Sequence, residues 1–365
     1  MSAWQDKTWG DLVTLEYGKS LTGYEDSNGR YRVFGTNGEI GHCDEPLCPH
    51  ATVIIGRKGA YRGVHYSAEP CFVIDTAFYL KAKADLDVRW AYYQLLTQDI
   101  NGMDSGSAIP STSRGDFYYL PVTVPPPAEQ RAIARVLGAL DDKIELNRRM
   151  NETLEALARA LFQRMKDEGG AGTLGDIAEN PRRAVDPTEV DPQTPYIGLE
   201  HMPRRSIALS EWGTAGELES GKAHFRRGEI LFGKLRPYFH KVGVAPLDGV
   251  CSTDILTIVP KKTAWFGLLL GHLSSKDLID HTDACSTGTK MPRVSWSDIA
   301  RYEIALPPEP VAAKLTGTIQ PLVERIIANI HEFRTLAALR DALLPKLLSG
   351  EVRVKAAENH MEALT

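Results

Sequence analysis

Long apolar runs are missing from this sequence of 365 residues, since none approaches the ~18 residues that a membrane-spanning helix needs. The opening stretch, Met1–Leu12, also lacks the basic-then-apolar pattern of a secretory signal. We therefore expect a protein of the cytoplasm. An apolar content of 43% and a charged content of 24% are ordinary for a folded protein, and the length predicts two or more domains.

Cysteine is too scarce and too scattered for a disulfide framework. The five cysteines (Cys43, Cys48, Cys71, Cys251 and Cys285) form an odd set, which fits a reducing compartment. The cluster HCDEPLCPH, His42–His50, could be read as a zinc knuckle, but its four ligands match no usual spacing and no second Cys/His pair follows. A polar loop is the simpler interpretation, and we predict no metal site.

A global excess of positive charge is also lacking, because the net charge is −5. The basic residues are nevertheless concentrated in two stretches. Residues 46–68 contain no acid, and residues 222–247 contain one acid against six Lys and Arg residues, which leaves +5 locally. A solvated face is usually mixed in sign, so these stretches predict an acidic partner.

Two catalytic motifs are absent: the sequence has no G-x-x-x-x-G-K-[ST] and no H-E-x-x-H. Val124 and Leu306 precede the proline pairs, so these are not the Asn-Pro-Pro-aromatic site of an amino-methylating enzyme. The acidic run DDKIE, Asp141–Glu145, lies within a helical pattern whose apolar seam includes Ile144, and a solvated helix face explains it better than a nuclease site. We predict that the chain alone is not an enzyme.

The sequence does contain an internal duplication. YLPVTVPPPAEQRAIARVLGAL (Tyr119–Leu140) has the same order of strand, prolines and helix as RYEIALPPEPVAAKLTGTIQPL (Arg301–Leu322). At an offset of 182 the matching pairs include Asp116 with Asp298, Pro125 with Pro307, Leu140 with Leu322 and Ile144 with Ile326. Upstream the match is looser: WGDL (Trp9–Leu12) resembles LGDI (Leu174–Ile177), and VIIGRKGAY (Val53–Tyr61) resembles EILFGKLRPY (Glu229–Tyr238).

A heptad seam follows each proline junction, with spacings that alternate between four and three residues. The first seam is Ile133, Leu137, Leu140, Ile144, Asn147, Asn151, Leu154, Ala158, Leu161 and Met165; the second is Leu315, Ile319, Leu322, Ile326, Asn329, Phe333, Leu336, Arg340, Leu343 and Leu347. The natural partner of each helix is its duplicate, so we predict an antiparallel pair. Asn147 and Asn329 then face each other near the dyad and fix the register, unless they face solvent.

Two prolines distinguish the second helix. Pro321 predicts a kink or an interruption, and Pro345 predicts the end of the helix. The first helix, of about 39 residues, makes a rod of roughly 58 Å. We expect two unlike domains at the ends of this rod, which suits a ligand that repeats along its length, such as duplex DNA.

These residues resemble a known family. The unit P-P-x-A-E-Q-R-x-I (Pro125–Ile133), the closing LRDALLPKLLSGEVRV (Leu339–Val354) and the duplicated frame together are similar to the specificity (S) subunits of type I restriction–modification enzymes. The resemblance covers nearly the whole chain. It departs in the second copy, which reads PPEPVAAK without the Glu-Gln pair.

The resemblance implies an α/β (α+β) fold in which two mixed α/β target recognition domains are joined by a long antiparallel two-helix coiled coil, with a pseudo-twofold internal repeat. The implied segments are recognition domain 1 (1–125), helical region 1 (126–168), recognition domain 2 (169–306), helical region 2 (307–350) and a tail (351–365). The family reads a bipartite DNA target and docks two methyltransferase (M) subunits, which restriction (R) subunits join. Glu129, Gln130 and Arg131 are the expected M-subunit contact. The chain itself binds no cofactor; S-adenosylmethionine belongs to M, and ATP and Mg to R.

Candidate DNA contacts are residues that can donate to bases or phosphates. They are Arg57, Lys58, Tyr61, Arg62 and Arg114 in the first copy, and Lys234, Arg236, Tyr238, His240, Lys241, Lys290 and Arg293 in the second. Gly56, Gly59, Gly63 and Gly233 would let the backbone approach a phosphate. Any one of these cations is equally explained as a surface salt-bridge partner; their corresponding positions in the two copies favour DNA.

Two other functions stay open on the sequence alone. A stand-alone hydrolase or methyltransferase would show turnover with DNA and S-adenosylmethionine. A non-catalytic two-headed scaffold for protein or glycan, outside restriction–modification, would bind DNA without dependence on salt. The DNA sequence recognised, its spacer length and the presence of an R subunit cannot be read from the chain.

Overall fold

The computed structural model describes residues 4–83, 85–103, 110–217, 220–288 and 290–354. The chain divides into two compact units: the first is Met1–Asp142 with Ala338–Thr365, and the second is Lys143–Ala337. Within the described ranges, no helix combines the length and the apolar character needed to cross a membrane.

The first unit is a mixed α/β domain. Its elements are β1 (Gln5–Thr8), α1 (Trp9–Leu12), β2 (Val13–Tyr17), β3 (Tyr31–Gly35), β4 (Gly38–Cys43), β5 (Thr52–Gly56), β6 (Val64–Ser67), β7 (Phe72–Val73), β8 (Ala77–Ala82), α2 (Val88–Leu96), α3 (Arg114–Tyr119), β9 (Pro121–Val124) and the start of α4 (Pro127–Gln163). The sheets have the strand orders β2-β8-β5-β6, β4-β3-β7 and β1-β9. Every residue of β5 is buried, as expected for an inner strand with the apolar sequence TVIIG.

Aromatic side chains form part of the first unit's core. Trp9, Trp90 and Phe117 are fully buried. The ring centroids of Trp9 and Trp90 lie 6.5 Å apart, and those of Trp9 and Phe117 lie 5.9 Å apart. The short helix α1 that carries Trp9 is fixed by a capping box between Thr8 and Asp11, so its tryptophan enters the core in one orientation.

The second unit repeats this plan with insertions. Its elements are β10 (Gly170–Thr173), α5 (Leu174–Ile177), β11 (Ala178–Glu179), β12 (Ala184–Val185), β13 (Pro195–Ile197), β14 (Gly213–Thr214), β15 (Lys222–Phe225), β16 (Ile230–Gly233), β17 (Val242–Val244), β18 (Gly249–Ser252), β19 (Ile255–Pro260), α6 (Phe266–Leu273), α7 (Lys276–Cys285), α8 (Trp296–Ala300), β20 (Glu303–Leu306) and most of α9 (Glu309–Leu348). The sheets have the orders β11-β19-β16-β17, β12-β15-β18-β13-β14 and β10-β20.

Corresponding elements pair in corresponding registers, which confirms the internal repeat. Gln5 of β1 lies opposite Val124 of β9, and Gly170 of β10 lies opposite Leu306 of β20. The capping box of α1 recurs in α5 between Thr173 and Asp176, 165 residues later. The two loosely matching upstream halves therefore fold alike, and the prediction of two mixed α/β domains is confirmed.

The helices α4 and α9 form the predicted antiparallel pair. Within the second unit, Asn329 Nδ2 donates to Asn151 Oδ1 at 2.8 Å and Asn147 Nδ2 donates to Glu332 Oε2 at 3.0 Å, so rising numbers on one helix meet falling numbers on the other. Every residue of the two predicted heptad seams is buried or half-buried. This is the burial that a period of 3.5 residues demands of a helix pair.

The asparagines of the seam are arranged differently from the expectation. Asn147 and Asn329 are fully buried, but their hydrogen bonds run to Glu332 and Asn151 and not to each other. The Oδ1 atom of each has no partner among the described residues. The predicted face-to-face pair is therefore replaced by a wider polar cluster.

The expected interruption of the second helix at Pro321 does not occur, whereas the helix does end near Pro345, at Leu348. Helix α9 runs without interruption through Pro321 and through Pro345 to Leu348. Proline removes the donor for the carbonyl four residues earlier, here that of Gly317. Both Gly317 and Pro321 are exposed, so water can hydrate that carbonyl and the helix continues.

Candidate nucleic-acid interface

The first basic loop, residues 57–62, follows the buried strand β5. Its backbone is attached to the segment before the proline junction: Gly59 N–H donates to Pro110 O at 3.0 Å, and Thr112 N–H donates to Arg57 O at 2.9 Å. Gly59 has a φ of +120°, a conformation that favours glycine. These two hydrogen bonds therefore hold the loop by main-chain atoms and use none of its side chains.

The second basic loop, residues 234–241, is held by the same two bonds. Arg236 N–H donates to Pro292 O at 2.7 Å, and Val294 N–H donates to Lys234 O at 3.1 Å. The donors and acceptors correspond to those of the first basic loop at offsets of 177 and 182 residues. One backbone scaffold thus presents two different sets of side chains.

One guanidinium group of the first basic loop shares an aromatic ring with a guanidinium group of α3. The Cζ atoms of Arg57 and Arg114 lie 4.8 Å and 5.0 Å from the ring centroid of Tyr17. Arg57 also donates to Asp75 O at 3.0 Å. Lys58 is exposed and Tyr61 is 67% exposed, so both project from the loop.

Arg62 differs from the other predicted contacts because its side chain is buried, with 2% exposed. Its Nη2 donates to the carbonyls of Ile100 (3.2 Å), Asn101 (2.7 Å) and Met103 (2.7 Å). Because these hydrogen bonds occupy the guanidinium group within the chain, Arg62 stabilises the loop and is not available to a phosphate.

The second basic loop contains a tight turn, a 3-10 helix at Pro237–Phe239, between two residues of left-handed backbone. Arg236 and His240 both have a φ of +51°, which is costly for non-glycine residues and occurs often at functional sites. The turn exposes Tyr238, which is 48% exposed and packs edge-on against Phe239 at 4.7 Å. Tyr61 and Tyr238 are thus exposed aromatic residues at corresponding positions.

Two other predicted contacts of this loop are partly engaged within the chain. His240 Nε2 lies 2.9 Å from Ser274 O, and burial lowers the pKa of His240. Lys241 Nζ donates to Leu199 O at 2.5 Å, and burial lowers the pKa of Lys241 as well. Both side chains support the loop from its inner side.

The segment before the second junction contributes the remaining cations. Arg236 Nη2 donates to Lys290 O at 3.4 Å, which joins the loop to this segment. Lys290 is exposed. Arg293 is exposed too, but Asp254 accepts from its Nε at 2.9 Å, so any phosphate has to compete with that carboxylate.

The predicted partner-contact residues at the start of α4 have unequal exposure. Gln130 is buried: its Oε1 accepts from Asp87 N at 3.0 Å and its Nε2 donates to Pro125 O at 2.8 Å. Glu129 accepts from Trp4 Nε1 at 3.0 Å. The side chain of Arg131 is 57% exposed. Gln130 thus fixes the strand–proline–helix junction, and Arg131 is the most accessible of the three.

No group of three or more His, Cys, Asp or Glu residues suited to a metal ion occurs in the part of the chain that the structure describes. The two cysteines of the HCDEPLCPH segment belong to different parts of the fold. Cys43 ends β4, whereas Cys48 forms an isolated bridge with Cys71, and all three are buried free thiols.

Comparisons with known proteins agree on one family. A family model described as the type I restriction modification DNA specificity domain matches residues 1–156. The type I restriction enzyme HindI specificity subunit of Haemophilus influenzae is 32% identical over 346 residues, with 72% of this chain and 74% of that protein covered. The MjaIX specificity subunit of Methanocaldococcus jannaschii is 24% identical over 389 residues, with 95% and 88% covered.

A solved structure has the same fold. The crystal structure of a type I restriction–modification system S subunit from M. genitalium superposes with a TM-score of 0.62 at 19% identity. The superposition covers 94% of this chain and 96% of that one.

Proposed function

This chain belongs to the specificity subunits of type I restriction–modification enzymes, and from that premise we propose that its two basic loops read the two halves of a bipartite DNA target. As a member of that family it determines DNA specificity and is not itself an enzyme, because the catalytic activities lie in other subunits. The observation that carries the proposal is the repeated backbone scaffold. The same main-chain arrangement presents different side chains in the two units, which suits two half-sites of different sequence.

The proposed contacts are the cations and tyrosines that project from the scaffold. In the first unit they are Arg57, Lys58, Tyr61 and Arg114; in the second they are Lys234, Arg236, Tyr238, Lys290 and Arg293. Forked arginine donors suit guanine edges, lysines suit phosphates, and exposed tyrosine rings suit stacking or groove contacts. Arg62 is left out because its donors are used within the chain, and His240 and Lys241 are assigned to supporting the second loop.

The segment boundaries follow from the same premise. We propose recognition domains at 1–125 and 169–306, helical regions at 126–168 and 307–350, and a tail at 351–365. The buried cluster around Asn147 and Asn329 supports a role in helix register, because a slip would leave these amides against apolar neighbours. In this proposal the helix pair sets the distance between the half-sites.

For partners, we propose assembly with two methyltransferase subunits and, where present, restriction subunits, in the cytoplasm. Glu129 and the exposed Arg131 are the proposed methyltransferase contact. S-adenosylmethionine would be bound by the methyltransferase, and ATP and Mg by the restriction subunit. The DNA-specificity role itself requires no cofactor on this chain.

The test uses one substitution in each loop. Each of the variants Arg57→Ala and Arg236→Ala should reduce the discrimination between duplexes that differ in one half-site. Discrimination at the other half-site should stay unchanged. Each lost base contact should reduce discrimination by about 1–3 kcal/mol. The target for these duplexes comes from methylome sequencing of a host with and without the gene.

Arg149→Ala is the matched control, because Arg149 lies on α4, outside the sequence of both loops, and among the described residues its side chain pairs with Glu145. Equal loss at both half-sites from either loop variant would contradict the two-reader proposal. So would binding that does not weaken as salt is raised, since phosphate contacts release counterions.

A further inference from the structure

A cleft of about 500 Å³ lies in the second unit beside the second basic loop. Pockets of this size are large enough for a small-molecule group. Its walls come from the turn before β12, from β15, from the loop after β16 and from the segment leading into α8. The lining side chains that matter here are Arg182, Arg183, Lys222, Lys234, Arg293 and Trp296.

The cleft is strongly positive. Its lining contains five Lys and Arg residues and one carboxylate, Asp298. That carboxylate is already engaged, because it accepts from Ser295 Oγ at 2.5 Å in the cap of α8. Two of the cations are compensated by acids outside the lining: Arg183 pairs with Glu229 at 2.7 Å and Arg293 with Asp254.

The other three cations, Arg182, Lys222 and Lys234, have no carboxylate partner among the residues that the structure describes. Lys222 is the most informative, because only 5% of this residue is exposed. Its Nζ donates to Ser220 Oγ at 2.7 Å and to the Ser220 carbonyl, and lies 5.9 Å from the ring of Tyr196. An ammonium that is largely removed from water is costly without a counter-charge, and none of the described carboxylates supplies one to Lys222, so this arrangement favours an anion in the cleft.

Arg182 is held in a strained conformation at the cleft. Its φ is +46°, a left-handed value that an arginine adopts only when its surroundings impose it. Asn180 Oδ1 accepts from Arg182 N at 3.1 Å, and Ala184 N donates to Arg182 O at 2.9 Å. A glycine would fit this backbone without strain, so the arginine occupies the position at a conformational cost.

We propose that this cleft binds a phosphodiester group of the DNA at the second half-site, with Arg182, Lys222 and Lys234 supplying the charge and Trp296 a flat apolar wall for the adjoining nucleotide. The inference rests on the proposed function, because Lys234 belongs to the second basic loop. A phosphate seated here continues the path of the DNA from the loop surface into the cleft.

The corresponding place in the first unit is built differently. At the offsets set by the repeat, Arg182 corresponds to Tyr17, Lys234 to Arg57 and Trp296 to Arg114. There both guanidinium groups already lie against the tyrosine ring, at 4.8 Å and 5.0 Å. The phosphate site is therefore assigned to the second half-site alone.

The experiment measures the salt dependence of binding to a duplex that carries the target sequence. The variants of the full chain are Arg182→Gln, Lys222→Met and, as the matched control, Lys314→Gln on the exposed face of α9. Each cleft variant should lower the slope of log affinity against log salt by about 0.9 and weaken binding roughly fivefold at 0.15 M salt. The control should match the wild type.

Because Lys222 is buried, thermal unfolding is used to check that Lys222→Met is folded. Arg182 is exposed, so Arg182→Gln tests the cleft even if Lys222→Met does not fold. A wild-type slope for Arg182→Gln would overturn the inference. If the Arg57→Ala and Arg236→Ala results hold while this slope is unchanged, only the cleft assignment fails. If the wild type shows no salt-dependent binding, the proposed function fails with it.

A second arm separates DNA phosphate from a free anion. Inorganic phosphate is titrated into the wild type and into Arg182→Gln by calorimetry, with and without the duplex. Phosphate that binds weakly and is displaced by the duplex supports the inference. Tight phosphate binding that the duplex does not displace would show a small-anion site and overturn it.

Discussion

The helix pair is stabilised by different chemistry in the two units. In the first unit Arg340 Nη1 donates to Asp141 Oδ1 at 2.7 Å, and Tyr93 OH donates to the other carboxylate oxygen at 2.6 Å. At the offset of 182 residues the counterparts of Asp141 and Arg340 are Val323 and Ala158, both buried in the apolar core of the second unit. One repeated helix frame therefore tolerates either a charged or an apolar joint.

The two joints differ in what they require of their residues. Apolar packing needs only volume and shape, whereas the charged joint requires three groups in a fixed geometry. The charged joint also links α2 of the first recognition domain, through Tyr93, to both helices of the pair. The acidic run at Asp141, which the sequence presents as a solvated face, is thus a structural junction: Asp142 completes it by accepting from Arg89 at 2.7 Å and 2.9 Å.

The largest effect is expected at the apolar joint. Phe162 is buried, with 1% exposed, and packs edge-on against His272 at 4.8 Å. Phe162→Ala should lower the free energy of unfolding of the second unit by about 3–5 kcal/mol, because it removes buried surface and leaves a cavity. Chemical denaturation followed by circular dichroism measures this loss.

Leu157→Ala is the control on the same helix, because Leu157 is 47% exposed; its cost should stay below about 1 kcal/mol. Similar costs for the two variants would mean that the joint near Phe162 does not depend on packing.

A smaller loss is expected at the charged joint. Arg340→Ala leaves Asp141 without its cation, but the pair is only partly buried, with side-chain exposures of 29% and 23%. We expect a cost of about 2 kcal/mol, below the 3–5 kcal/mol of a fully buried pair. Denaturation at two salt concentrations measures it.

The double variant Asp141→Val with Arg340→Ala copies the residues of the second unit and sharpens the comparison. It should recover part of the loss, because a partly buried Asp141 without its cation is no longer present; the recovery is incomplete because Tyr93 OH loses its acceptor. A double variant less stable than Arg340→Ala would show that the two joints are not interchangeable.

The smallest effect concerns pH. Glu155 in the second unit is buried and accepts a hydrogen bond from Ser206 Oγ at 2.6 Å. Burial raises the pKa of Glu155, although this hydrogen bond opposes the rise. A carboxyl whose pKa is raised on folding binds protons more tightly in the folded state. Its cost to stability is therefore absent below the unfolded pKa, grows as the pH rises through the folded pKa, and is constant above it.

Glu155→Gln should accordingly raise the stability of the second unit slightly at neutral pH and flatten its pH dependence above about pH 4.3, the usual value for glutamate. Urea denaturation across a pH series detects the change. Glu152→Gln, exposed on the same helix, should leave the profile unaltered. A loss of stability at neutral pH in Glu155→Gln would show that the buried carboxylate stabilises the folded state.

Periodic features were predictable from the sequence. The heptad seams, the strand–proline–helix junctions and the repeated α/β domains follow from local spacing, and all are found. The continuation of α9 through Pro321 was not predictable, because it depends on whether the carbonyl of Gly317 is open to water. That exposure is a property of the packed helix.

Contacts between residues far apart in the sequence determine which side chains are exposed and which are engaged within the chain. Arg62 and Gln130 look like surface groups in the sequence, but their partners lie some 40 residues away, at residues 100–103 and at Asp87. The cleft around Lys222 was equally hidden, since its cations come from four separate segments. Spacing can locate a loop; only the fold shows which of its donors are already used.

The main-chain attachment of the two basic loops has an evolutionary consequence. The two loops share a pair of main-chain hydrogen bonds, at Gly59 and Thr112 in one case and at Arg236 and Val294 in the other, and these bonds do not depend on which side chains project from the loop. Exchanging a projecting residue should change what is recognised at little thermodynamic cost to folding. Such a protein can drift between specificities by single substitutions without passing through an unfolded intermediate form.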